Sequence, residues 1–238
     1  MAEDIRQQQN REAVAIEAVA EVREAIDSSP ELTAPPIEAE WVDRFWRLAQ
    51  DITDADIQAV WGKILARKTT GRGTYSARCL ETISLLSHEE ITHLERLATL
   101  LWTTTLRETQ IYYVLYNVHA LPAGALPTDL TSKLYAAVGN LHREIFGSAG
   151  IALDSGSGWA QDSYLEAKNG IANVMIANAK YNLVFPDAPE GRKNVGASLG
   201  ISPLGVEIFS LIKADPDPTY IAALTDAFKF YNIEMRTA

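Results

Sequence analysis

The chain lacks most features that would assign it quickly. It holds one cysteine, Cys79, among 238 residues; no internal disulfide can form, and nothing argues for an oxidising compartment. No apolar run approaches the roughly 18 residues that mark a membrane-spanning helix. The opening "MAEDIRQQQNREA" has no apolar signal core. These absences predict a cytoplasmic protein with no membrane partner. Positive charge is also scarce: 21 Lys and Arg stand against 31 Asp and Glu, a formal net charge of −10. That balance opposes non-specific attraction to nucleic acid or anionic lipid, because such affinity comes from neutralising phosphates. There is no G-x-x-x-x-G-K-[ST] loop, and "SGSGW" (155–159) does not satisfy G-x-S-x-G. A nucleotide triphosphatase and a serine hydrolase therefore lack their signatures. No cofactor is predicted.

What is present is a foldable sequence. Hydrophobic residues make up 47% and charged residues 22%, ordinary values for a chain that buries a core. Residues 1–27 predict an amphipathic helix, with Val14, Ala18, Val22 and Ile26 on one face and Ala15 and Val19 beside them. A proline-rich linker over 28–40 follows. Residues 41–104 predict a helical bundle. Trp41, Phe45, Leu48 and Ala49 share one face; Ile57, Trp61, Ile64 and Leu65 share another; Ala77, Leu80, Ile83 and Leu86 share a third. Thr53-x-x-Asp56 and Ser87-x-x-Glu90 read as capping boxes, the second opening a helix through Leu94 to Leu101.

Residues 105–238 change character. "IYYVLYNV" (111–118) suits strand or helix, and Leu130 to Ile145 return to helical spacing. "AGIAL" (149–153) reads as a short strand and 154–162 as a loop. "IANVMI" (171–176) and "YNLVF" (181–185) read as a hairpin, with "VGASLGI" (195–201) as a third strand. Ser202-Pro203 and Asp217-Pro218 each read as a helix start. The expected fold is mainly α within an α+β class: an N-terminal helical bundle, then a winged-helix-like unit with a small antiparallel sheet. Its second helix spans about 138–147 and its wing 171–201.

The most conspicuous charge feature is an island. Between Asp56 and Glu81 there is no acid, while Lys63, Arg67, Lys68, Arg72 and Arg78 are basic. Gly71 and Gly73 would free backbone N–H groups to approach a phosphate. The competing reading is a helix joint, in which cations near a helix C-terminus favour its dipole and glycine lets the chain turn. In the second half, Lys133, Tyr135, Asn140, His142 and Arg143 offer contacts from a recognition helix, and Lys180, Arg192 and Lys193 from a wing. Glu144, Asp154, Asp162, Glu166, Asp187 and Glu190 intersperse them.

Other constellations carry less. His88 and His93 are five apart, not the four a zinc-protease helix needs. "DITDAD" lacks the glycine and distal glutamate of a calcium loop, so capping explains Thr53, Asp54 and Asp56. Cys79 reads as a small core residue. Trp41, Trp46, Trp61 and Trp102 fit core packing better than base stacking.

The segment "DITDADIQAVWGKILARKTTGRGTYSARCLETISLLSHEE" resembles the domain of unknown function 2806 family. The positions carrying the likeness are Gln58, Trp61, Ile64, Leu65, Ala66, Gly73, Ser76, Arg78, Leu80, Leu86, Ser87 and Glu90. "RQQQNREAVAIEAV" and "ISPLGVEIFSLI" add to it. Lys68 and Arg72 depart from the pattern, which has an acidic residue and a proline there. The resemblance implies a bacterial or phage-related intracellular protein, with a setting in mobile-element or defence loci, and implies no activity. Within it, Trp61, Ser76 and Arg78 read as structural anchors, with Arg78 pairing Glu81 or Asp51, Asp54 or Asp56. Residues and resemblance together point to a non-enzymatic interaction protein, with a protein partner or self-association through the N-terminal helix. The alternative is a DNA- or RNA-binding regulator.

Overall fold

The computed structural model describes residues 1–28, 36–118, 125–138, 150–152, 161–187 and 190–238. They divide into two units: Met1–Glu89 with Glu207–Leu211, and Glu90–Val206 with Ile212–Ala238.

The first unit is built on four helices, α1 (Ala2–Ser28), α2 (Ala39–Ala49), α3 (Ala55–Thr69) and α4 (Ala77–Leu85). Its core is aromatic. Phe45 stacks on Trp41 at 5.2 Å between ring centroids and tilts against Trp61 at 5.1 Å, while Trp41 Nε1 donates to the Tyr75 carbonyl at 2.7 Å. Ile64, Cys79, Leu80 and Ile83 are buried with them. The helix α1 lies close enough to α3 that a Cβ at Gly62 would stand 2.4 Å from Glu17 Cβ and 2.9 Å from the Ala18 nitrogen. Only glycine permits that approach. Buried Asn10 ties the same helix to the α2–α3 turn, its Nδ2 donating to the Gln50 carbonyl at 2.8 Å. Gln58 Nε2 donates to the Ile52 carbonyl at 2.8 Å and reaches Asn10 Oδ1 at 3.4 Å. The cap of α3 is Asp54, which accepts from the backbone N–H groups of Asp56 and Ile57. The start expected at Thr53 is thus displaced by one residue.

The second unit is α+β. After α5 (His88–Ala98) come β1 (Leu101–Leu106), β2 (Thr109–Val118), α6 (Thr128–Val138), β3 (Gln161–Ala167), β4 (Ile171–Ile176), β5 (Ala179–Val184) and β6 (Gly191–Gly200). The helices α7 (Pro203–Phe209) and α8 (Pro218–Phe230) and the strand β7 (Glu234–Thr237) close the chain, the last residues of α7 belonging with the first unit. The expected helix starts hold: Ser202 Oγ accepts from Gly205 N–H, and Asp217 Oδ1 from Tyr220 N–H.

Among the described residues the sheet has seven antiparallel strands in the order β3-β6-β2-β1-β4-β5-β7, larger than the small sheet expected. The segment 171–201 does not make a three-stranded wing. Its strands β4 and β5 pair with each other, but β6 lies between β3 and β2. The run 111–118, open between strand and helix, is strand; Leu101, expected to end a helix, begins one. Although β3 and β4 stand four places apart, Lys168 and Ile171 exchange both backbone hydrogen bonds across Asn169–Gly170. The sheet therefore curls until its first strand meets its fifth. Trp102, Tyr113, Leu115, Tyr220, Leu224 and Phe228 fill its core. The expected helix over 138–147 lies, beyond Val138, outside the described residues.

Candidate functional site

The basic island is a helix joint whose cations are mostly committed. The end of α3 is a Schellman arrangement: Arg72 N–H donates to the Arg67 carbonyl at 2.9 Å and Gly71 N–H to the Lys68 carbonyl at 3.4 Å. Gly71 takes φ 68°, the left-handed conformation this motif needs. Arg72 then reaches α1, donating to the Ala25 carbonyl at 2.8 Å and to Ser28 Oγ at 3.1 Å. The last turn of α1 has no basic residue of its own, so Arg72 supplies the cation its C-terminal dipole favours. Lys68 Nζ lies 5.4 Å from the Trp41 ring centroid and 3.6 Å from Glu38, whose carboxyl it helps hold below the usual range after that residue's own backbone. Arg67 donates to the Ser210 carbonyl. Lys63 is half-buried and Arg78 exposed.

The three expected anchors part company. Trp61 is fully buried in the aromatic core. Ser76 caps α4, accepting from Cys79 N–H, and donates through Oγ and backbone N–H to Glu207. Arg78 is on the surface, and the partner of Glu81 is Arg44, at 2.5 Å. The carboxylate of Glu81 lies on the α2 side of α4, where Arg44 reaches it.

In the second unit Lys133 of α6 lies 3.6 Å from Asp226 of α8. Arg192 stacks 3.6 Å over the Tyr164 ring, and Lys193 Nζ donates to the Glu190 carbonyl at 2.6 Å. His142 and Arg143, with Asn140, lie outside the described residues. Among the described residues, the cations meant to form one interface are spread over α6, β5 and β6, and Lys133, Arg192 and Lys193 each have an internal partner.

Two clusters carry other chemistry. Asp54, Asp56 and His88 bring three ligand atoms within 4.8 Å of one another, all on exposed residues, yet the Asp54 carboxylate already caps α3. Cys79 is buried, and burial together with nearby Glu207 pushes its thiol well above the ordinary range. That is the opposite of what a reactive thiolate needs.

The outer face of α1 is different. Asn10, Val14, Ala18 and Ala25 turn inward, whereas Ile26, expected on that face, is 49% exposed, as are Ile5 at 55%, Ile16 at 69% and Val19 at 50%. At 100° per residue these four lie roughly opposite the buried stripe. Beside them a groove of ≈ 670 Å³ runs between α1 and α2, lined by Arg11, Glu12, Asp43, Trp46 and Arg47 among others. Arg11 donates to Gln50 at its floor. The sequence carried a signal for this second stripe in the spacing of Ile5, Ile16, Val19 and Ile26. It was obscured because apolar residues on two opposite faces cancel in any test for a single amphipathic face.

A family model described as "Protein of unknown function (DUF2806)" matches residues 1–135. The chain belongs to that family. The DUF2806 match runs from α1 into α6 and contains Gln58, Trp61, Ser76, Arg78 and Leu80, which carried the resemblance. Structurally, Gln58 closes the α2–α3 turn and Trp61 and Leu80 are core. The match ends before "ISPLGVEIFSLI". No curated protein and no solved structure matches the chain.

Proposed function

We propose that this DUF2806 protein is an interaction module and not a catalyst, and that it engages protein through the outer face of α1. The observation that carries this reading is the stripe of exposed aliphatic residues Ile5, Ile16, Val19 and Ile26 on a 27-residue helix whose opposite face is buried. Isolated exposed aliphatics are ordinary, but a stripe at helical spacing is a feature of helices that pack on both sides. The commitment of Lys68, Arg72, Arg192 and Lys193 to internal partners favours this reading over nucleic-acid contact.

The test is site-specific photo-cross-linking in the native host, with a benzophenone amino acid at position 16 and a control at exposed Tyr135 of α6. Discrete protein adducts from position 16 and none from position 135 are expected. If position 16 yields no protein adduct of any kind, the interaction reading fails.

A further inference from the structure

The outer stripe of α1 has a definite register. Ile5, Gln9, Glu12, Ile16, Val19, Arg23 and Ile26 succeed one another at spacings of four and three, the repeat of a two-helix seam. Two positions in that seam are charged, Glu12 and Arg23, and both are exposed. They lie symmetrically about the point midway between Glu17 and Ala18. Ile16 and Val19 are symmetric about the same point.

We infer that α1 pairs antiparallel with α1 of a second copy of this chain, Ile16 packing on Val19 of the partner and Glu12 facing Arg23 of the partner. This inference rests on the interaction reading above and names its partner. The charges select the arrangement. In the antiparallel register each Glu12 meets an Arg23, twice by symmetry, and Gln9 meets Ile26. In a parallel pair, Glu12 would face Glu12 and Arg23 would face Arg23, two like-charge contacts in one seam. Opposite charges at seam positions set register and orientation, and like charges exclude the alternative. The overlap runs from about Gln8 to Asp27, six layers, with Ile5 beyond it. The helix is free to accept such a partner because its inner stripe is held on α3 by the Gly62 approach and Asn10, so pairing does not compete with the fold of the first unit.

The experiment is multi-angle light scattering on the full chain, over a concentration series into the high micromolar range. The expected result is a dimer that dissociates on dilution. Reversing one charge, Glu12→Arg or Arg23→Glu, should weaken dimerisation by about tenfold or more, and the double reversal should restore it. Circular dichroism of each variant separates loss of pairing from loss of folding. Orientation is read by disulfide formation, since the native Cys79 is buried. A mixture of Glu12→Cys and Arg23→Cys chains should cross-link. Glu12→Cys alone should not, because two such residues would lie about 16 Å apart along the axis at 1.5 Å per residue. A chain that stays monomeric throughout overturns the inference. So does a dimer in which Glu12→Cys alone cross-links, or one in which the double reversal fails to recover. If position 16 captures a different protein while the purified chain is monomeric, self-pairing is wrong and the interaction reading stands. Absence of any adduct removes both.

Discussion

Tyr220 and Tyr113 are both buried in the second unit but differ in the surroundings of one atom. The Tyr220 hydroxyl donates to the Leu115 carbonyl at 2.5 Å and accepts from Trp102 Nε1 at 3.0 Å. The Tyr113 hydroxyl is buried with no partner among the described residues. Tyr220→Phe orphans a donor and an acceptor and should cost about 1–3 kcal/mol in chemical denaturation. Tyr113→Phe removes an unpaired polar atom and should be neutral or slightly stabilising by the same measurement. Burial raises both hydroxyls above the ordinary tyrosine range. Both therefore stay protonated in the folded state while the unfolded chain ionises near pH 10. Above that pH the unfolded state binds fewer protons, so stability falls as pH rises. A denaturation series from pH 8 to 11 should show the decline, shallower in Tyr113→Phe. In the first unit, Arg72→Ala should lower stability by about 0.5–1 kcal/mol through loss of the cap on α1; phosphate added at millimolar concentration should not stabilise the native protein any more than the variant.

At the scale of elements, α1 shows how one sequence can serve two surfaces. Where its approach to α3 is closest both surfaces are small, Ala18 on α1 and Gly62 on α3, and its outer residues are large. Gly62→Ala would normally favour a helix by about 0.5–1 kcal/mol. Here the added carbon meets the Glu17 Cβ and the Ala18 backbone, neither of which is a flexible side-chain end, so a net loss of about 1–3 kcal/mol is expected in a thermal or denaturant melt. The legibility of elements followed their local punctuation. The starts at Ser202 and Asp217 marked helices correctly because a side-chain oxygen accepting from the first turn is a local event. The hairpin β1–β2 was hidden because its turn, Arg107–Glu108 at φ 49° and 67°, uses left-handed backbone without glycine or asparagine. The turn Asn169–Gly170, with φ 51° and 75°, carries the strongest short-range hairpin signal, but the polar run before it gives β3 no apolar alternation to go with that turn.

At the scale of the whole molecule, the proposed self-pairing would make stability depend on concentration. A dimer that forms only from folded chains shifts the melt upward as protein is added. The transition of the native chain should therefore rise between micromolar and high-micromolar concentrations, and that of Ile16→Glu should not, by differential scanning fluorimetry or calorimetry. Membership in the DUF2806 family and the α+β class were readable from sequence, since both rest on short-range patterns. So was the first unit's helical plan, because spacing and caps are local. The seven-strand order, the return of β3 to β4 and the placing of β6 away from the β4–β5 hairpin were not, because strand partners are chosen by contacts between distant segments. The same holds for the basic island. Its composition was plain from the chain alone, but only folding brought Arg72 to the end of α1, Lys68 onto Trp41 and Arg67 to Ser210. Charge is a property of residues; whether it remains available to a partner depends on which carbonyls and rings the fold brings within reach.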